Sequence, residues 1–136
     1  MSYRLPTEAE WEFAARGGNK GKDNNHTYSG SNNIDEVAWH NDNSSGRTHP
    51  VGTKQPNELG IYDMSGNVLE WCSDWQYQYT NEAKTNPIST KEDPYRICRG
   101  GTHWQHSNVS LNHVRRRDIG LPDLRYSWVG FRVVHP

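Results

Sequence analysis

The segment RGGTHWQHSNVSLNHVRRRD, Arg99–Asp118, concentrates side chains able to do chemistry. Its histidines, His103, His106 and His113, raise zinc first. Their spacings, H-x2-H and H-x6-H, match no common zinc pattern, and no cysteine follows Cys98 to complete one. Surface histidines in a loop are the simpler reading. The run Arg115-Arg116-Arg117 raises a phosphate or nucleic-acid patch. A nucleic-acid module carries a broader basic field, and this chain has a net charge of −1, so no nucleic-acid partner is expected.

A second constellation lies in YDMSGNVLEW. Asp63 and Glu70 offer carboxylate oxygens, while Gly66 lets the backbone turn its carbonyls, and that of Val68, inward. A hard cation such as Ca2+ takes oxygen ligands of this kind from an irregular loop. A solvent-exposed turn with two unrelated acids fits the same residues. The chain has no glycine-rich phosphate loop, no G-x-S-x-G and no H-E-x-x-H.

These groups must be positioned by few regular elements. The 136 residues suffice for one domain, spanning 1–136, with one core. Only 32% are hydrophobic, so six tryptophans and seven tyrosines must supply much of the buried area. A mean hydropathy of −1.07 with 12 glycines implies much irregular backbone. In LPTEAEWEFAARGG, Thr7 and Glu10 form a capping box. Trp11, Ala14 and Ala15 share a face, and Gly17-Gly18 stops the helix after about three turns. Asn19–Asn57 is a long polar stretch that needs an organiser other than a core, either side-chain hydrogen bonds or a metal. Asn43–Gly46 reads as a turn, Arg96–Arg99 as a strand, and WVGFRVV as a closing strand. The fold class is therefore α+β.

Charge is unevenly divided. From Arg96 onward the chain carries +5, and the 95 residues before it carry −6. The basic half either attracts anions or supplies guanidinium forks to carboxylates inside the fold. Cys72 and Cys98 are too few for a disulfide scaffold, and their pairing is open. No stretch is apolar enough to span a membrane.

RLPTEAEWEFAARGG, THPVGTKQPNELGIYDMSGNVLEWCSDW, RICRGG and R-x4-P-D-x-R-x4-GFRVV occur in that order from Arg4 to Val134. Together they resemble the formylglycine-generating enzyme (sulfatase-modifying factor) family. The resemblance implies a C-type lectin-like fold with little regular secondary structure, long loops and bound Ca2+. It implies that Asp63 and Glu70 give side-chain oxygens to calcium, and Gly66 and Val68 carbonyls. A further calcium site would involve Asn33, Ile34 and the Asp42–Ser45 region. The family domain begins well upstream, so an N-terminally truncated or minimal version is expected, with an open sheet edge that favours self-association.

The oxidase members use a cysteine pair after the R-x-x-R-G-G motif, because thiolates bind copper and engage a substrate thiol. Here the corresponding positions hold Gln105 and Ser110, so thiol oxidase activity is expected to be absent. Other relatives are display proteins of diversity-generating retroelements, which vary solvent-facing positions between R-G-G and G-F-R. Thr102–Val129 is similar to such a region. The implied ligand-binding surface comprises His103, Trp104, His106, Asn108, Leu111, His113, Arg116, Asp118, Leu121, Leu124, Tyr126 and Trp128. Rigid aromatics with adaptable polar neighbours suit recognition of a protein or glycan. The expected role is a non-catalytic binding or display module in an extracellular, cell-surface or phage-associated setting. The alternative is a superfamily enzyme with iron- or copper-dependent oxidative chemistry, for which His103, His106 and Asp118 are the available facial set.

Overall fold

The computed structural model describes residues 2–77, 87–105 and 114–135. Helix α1, Glu8–Ala15, starts as its capping box requires. Thr7 accepts from the Glu10 amide, and the Glu10 carboxylate accepts from the Thr7 amide. At eight residues it is shorter than the expected three turns, because Gly17 turns left-handed at φ 85° and the chain restarts as α2, Gly18–Gly21. The long polar stretch holds two more single-turn helices, α3 (Ile34–Val37) and α4 (Asn41–Ser44). Ser45 and Gly46, both with positive φ, form the turn expected over Asn43–Gly46, while Asn43 and Ser44 belong to α4.

Four strands form one sheet in the order β3-β2-β1-β4, where β1 is Leu69–Trp75, β2 Arg96–Arg99, β3 Arg117–Gly120 and β4 Val129–Gly130. β1–β2 and β2–β3 are antiparallel, whereas β1–β4 is parallel. The closing strand is shorter than WVGFRVV suggested. Only Val129–Gly130 pairs with β1, and Val134 then bridges to Arg4, joining the two ends of the described chain.

The two faces of the sheet differ. Because side chains alternate along a strand, Glu70, Cys72, Asp74, Ile97, Arg99 and Arg117 share one face. Helix α1 packs there, burying Trp11 and Ala15 with Met64, Cys72, Ile97 and Val114. A smaller cluster, Tyr28, Ile34, Val37 and Ala38, supports the polar stretch. Trp71, Cys98, Asp118 and Gly120 lie on the opposite face, with Trp71 beside Cys98 and Cys98 beside Asp118. Cys72 and Cys98 are therefore on opposite faces, and both are free and buried. Burial pushes both thiols up, that of Cys98 to about 12, so neither offers a ready thiolate.

The uneven charge has a structural explanation. Arg99, fully buried, donates to Glu8, Glu12 and the Val114 carbonyl. Arg117 forks onto the same Glu8 at 2.8 and 2.6 Å. Arg132 forks onto Glu70 with both bonds at 2.6 Å. The basic half thus neutralises carboxylates of the acidic half across the sheet–helix interface. Since Arg117 points toward α1, Arg115-Arg116-Arg117 is not a single basic patch.

Candidate functional site

The face opposite α1 carries an aromatic cluster. The connection from β3 to β4 begins at Leu121, whose amide donates to the Tyr126 hydroxyl at 3.4 Å. The Leu124 amide closes a turn onto the Leu121 carbonyl. Tyr126 lies between Trp71 and Trp128, with ring centroids 6.5 and 5.2 Å away. Trp128 meets Trp104 edge-to-face, at 6.3 Å and 89°. The Trp128 carbonyl accepts from Leu69, which fixes this corner to the start of β1.

Six of the residues expected to face a ligand belong to this region: Trp104, Asp118, Leu121, Leu124, Tyr126 and Trp128. Asp118 falls on this side as the strand partner of Cys98, while Arg116 precedes β3 and is exposed. Neither tryptophan is a core residue. Trp104 is 48% exposed, Trp128 37% and Leu124 52%.

His103 does not join them. It is buried, its ring Nδ1 and its amide both meet the Asn67 carbonyl, and its own carbonyl accepts from Ser44. His106, Asn108, Leu111 and His113 lie outside the described residues, as does Ser110. Gln105, at one of the oxidase cysteine positions, is buried with its side-chain oxygen on the Thr102 amide. Among the described residues no group of three or more His, Cys, Asp or Glu converges as a metal cluster would.

A second site lies beside β4. Val51, Gly52, Tyr62, Asp63, Asn67, Val68, Glu70, Phe131 and Arg132 line an open cavity of about 390 Å3. The loop beneath it is held tightly. Gly66, at φ 77°, lies so close to Trp39 that a Cβ would stand 2.4 Å from that carbonyl oxygen. Asn67 bonds the His49 amide and carbonyl with its side chain. Asp63 is buried with φ 59°; one carboxylate oxygen accepts from Gly52 at 2.7 Å, and the other, Oδ1, has no partner. Glu70 accepts from Trp11 as well as from Arg132.

The unpartnered buried oxygen of Asp63 is free to accept from a donor or a cation. Asp63, Val68 and Glu70, three of the four residues the resemblance implies for calcium, line this cavity together; Gly66 is not among its lining residues, and both Glu70 oxygens already accept from Arg132. The second implied site is less suited. Asn33 caps α3, Asn43 bonds the His40 amide and the Ala38 carbonyl, and Ser44 is bonded to His103.

Residues 1–136 match the family model of the sulfatase-modifying factor enzyme 1-like domain. The chain belongs to this family. It is 47% identical over 116 residues to chaperone protein LppX of Paenibacillus barcinonensis, covering 73% of this chain and 38% of that protein. It is 34% identical to the formylglycine-generating enzyme of Streptomyces coelicolor, covering 95% and 45% respectively. Among solved structures, Treponema denticola variable protein 1 superposes with a TM-score of 0.85 and 36% identity, over 96% of this chain and 46% of that one. The chain thus spans less than half the length of each of these relatives. The α+β fold with few helices is the one shared with these neighbours.

Sequence reasoning missed the part played by Arg132. The GFR motif was visible, but the partner that makes it matter, Glu70, is 62 residues away.

Proposed function

We propose that this domain is a non-catalytic ligand-binding or display module. Its recognition surface is the sheet face opposite α1. The observation that carries this reading is the aromatic cluster of exposed Trp104 and Trp128 with half-buried Tyr126, packed against Trp71 of the sheet, with exposed Leu124 on the same connection. Exposed aromatic rings on a rigid platform lose little entropy on binding and bury large areas. The likeness to the Treponema denticola variable protein supports it. So does Gln105 at an oxidase position, since a buried amide supplies no thiolate. The ligand is a protein or glycan, and the setting extracellular, cell-surface or phage-borne. In the same reading, residues 102–129 are a region diversified by a retroelement.

The test screens the domain against a glycan array and a surface-displayed peptide library, then repeats each selected interaction with Trp104, Leu124 and Tyr126 all replaced by alanine. Binding should fall at least about tenfold, the effect of losing ~1.4 kcal/mol, while the melting temperature holds. Unchanged binding by a folded triple variant would overturn the reading.

Calcium at the Asp63–Glu70 cavity belongs to this proposal as a structural ion. Bound there, it would supply positive charge to the orphaned Asp63 oxygen and hold the loop that leads into β1. A ligand that binds only the folded state stabilises it by mass action. Calcium should therefore raise the melting temperature, and Glu70→Gln should blunt the rise. A chelator that leaves melting untouched would contradict it.

A further inference from the structure

Two carboxylates and one guanidinium line the cavity beside β4, and their bonding is unequal. Asp63 has a buried oxygen without a partner, whereas both Glu70 oxygens are already on Arg132, at 2.6 Å each, with Trp11 adding a third bond at 2.8 Å. Arg132 is held in turn by the Tyr62 carbonyl at 3.0 Å, on the residue next to Asp63. The guanidinium is thus anchored to the same loop that presents the orphaned oxygen.

We propose that Arg132 is a built-in counter-ion of this cavity, which holds Glu70 when no cation is bound and sets the cation affinity low. The inference rests on the calcium reading of the same cavity. Its physical basis is charge sharing. A carboxylate forked onto a guanidinium has spent most of its field, and a divalent cation that shares it meets a positive neighbour in a partly desolvated site. Removing that neighbour has two opposite effects. The metal-free protein loses stability, because Glu70, buried against Trp11, is left without a counter-charge. The metal-bound protein gains, because the cation then neutralises a full carboxylate. A role confined to packing would produce only the first effect.

The experiment measures terbium(III) and calcium binding to the 136-residue domain. Terbium emission sensitised by tryptophan reports occupancy, because the Trp11 indole donates to Glu70. Calcium competition then gives the affinity, with wild type, Arg132→Gln, Arg132→Lys and Asp63→Asn compared. Arg132→Gln should bind calcium about tenfold more tightly, a change of ~1.4 kcal/mol. Its metal-free melting temperature should be lower and its calcium-induced rise larger. Arg132→Lys, which keeps the charge but loses the fork, should stay near wild-type affinity and provides a second test if the glutamine variant does not fold. Asp63→Asn should bind weakly.

If wild type binds calcium and Asp63→Asn does not, but Arg132→Gln binds equally or less tightly, the counter-ion role is overturned while the calcium reading stands. Tighter binding by Arg132→Lys, to the level expected of the glutamine variant, would overturn it too. If no variant binds either ion, both readings fall together.

Discussion

At the scale of single residues, charge does most of the organising. The Arg4 fork, with bonds of 2.7 and 2.9 Å, holds the Glu10 carboxyl at about 2 against the opposing effect of burial, and the Thr7 amide adds to the lowering. A carboxyl held below its ordinary value stabilises the fold above that value and loses the contribution as it is protonated. Glu10 therefore contributes at neutral pH, and its contribution fades as pH falls from about 4.5 toward about 2. Arg4 is exposed, so solvent screening keeps the effect small. Urea unfolding of wild type and Glu10→Gln across that interval should show wild type losing its advantage as pH falls. Parallel curves would contradict the assignment. Inside the fold, Glu8 accepts from Arg99 and Arg117 together.

At the scale of elements, the sheet separates the side covered by α1 from the side proposed for recognition. Gly120 on β3 is the tightest point of that arrangement, because a Cβ there would stand 2.6 Å from the Trp71 ring. The ring in turn supports Tyr126. Gly120→Ala should destabilise the domain by ~1–3 kcal/mol, as overpacking does, and should shift the near-ultraviolet signal of the aromatic cluster. A variant with wild-type melting and an unchanged spectrum would show that Trp71 does not hold that surface.

Legibility in the sequence also divides at this scale. Local chemistry was readable: the Thr7–Glu10 box, the Gly17 stop and the Arg96–Arg99 strand all stand where residue types put them. β1 was not anticipated as a strand. LEWCSDW is covered on both faces, by α1 and by the aromatic cluster, so it lacks the alternation that marks a half-exposed strand. β3 was hidden because Arg117 and Asp118 read as part of a charged loop. The aromatic cluster was expected from its residue types, but its exclusion of His103 depends on Asn67, 36 residues earlier in the chain. The Arg132–Glu70 fork and the orphaned Asp63 oxygen likewise depend on tertiary placement that no spacing rule encodes.

For the molecule as a whole, a small core supports a broad irregular surface through hydrogen bonds rather than apolar burial. Asn57 is an example. Its side chain donates to Ala14 and Ser29 and accepts from Leu59 and Ile61, joining α1, the polar stretch and the loop before Asp63. The proposed display role requires that anchoring of this kind hold the backbone while the outward side chains of the opposite face differ.

That requirement has a direct test in deep sequencing of this gene across natural populations of its source. The account predicts that substitutions gather at Trp104, Arg116, Asp118, Leu121, Leu124, Tyr126 and Trp128, while Glu8, Glu70, Arg99, Gly120 and Arg132 stay fixed. A recognition face as constant as the framework that carries it would contradict the account.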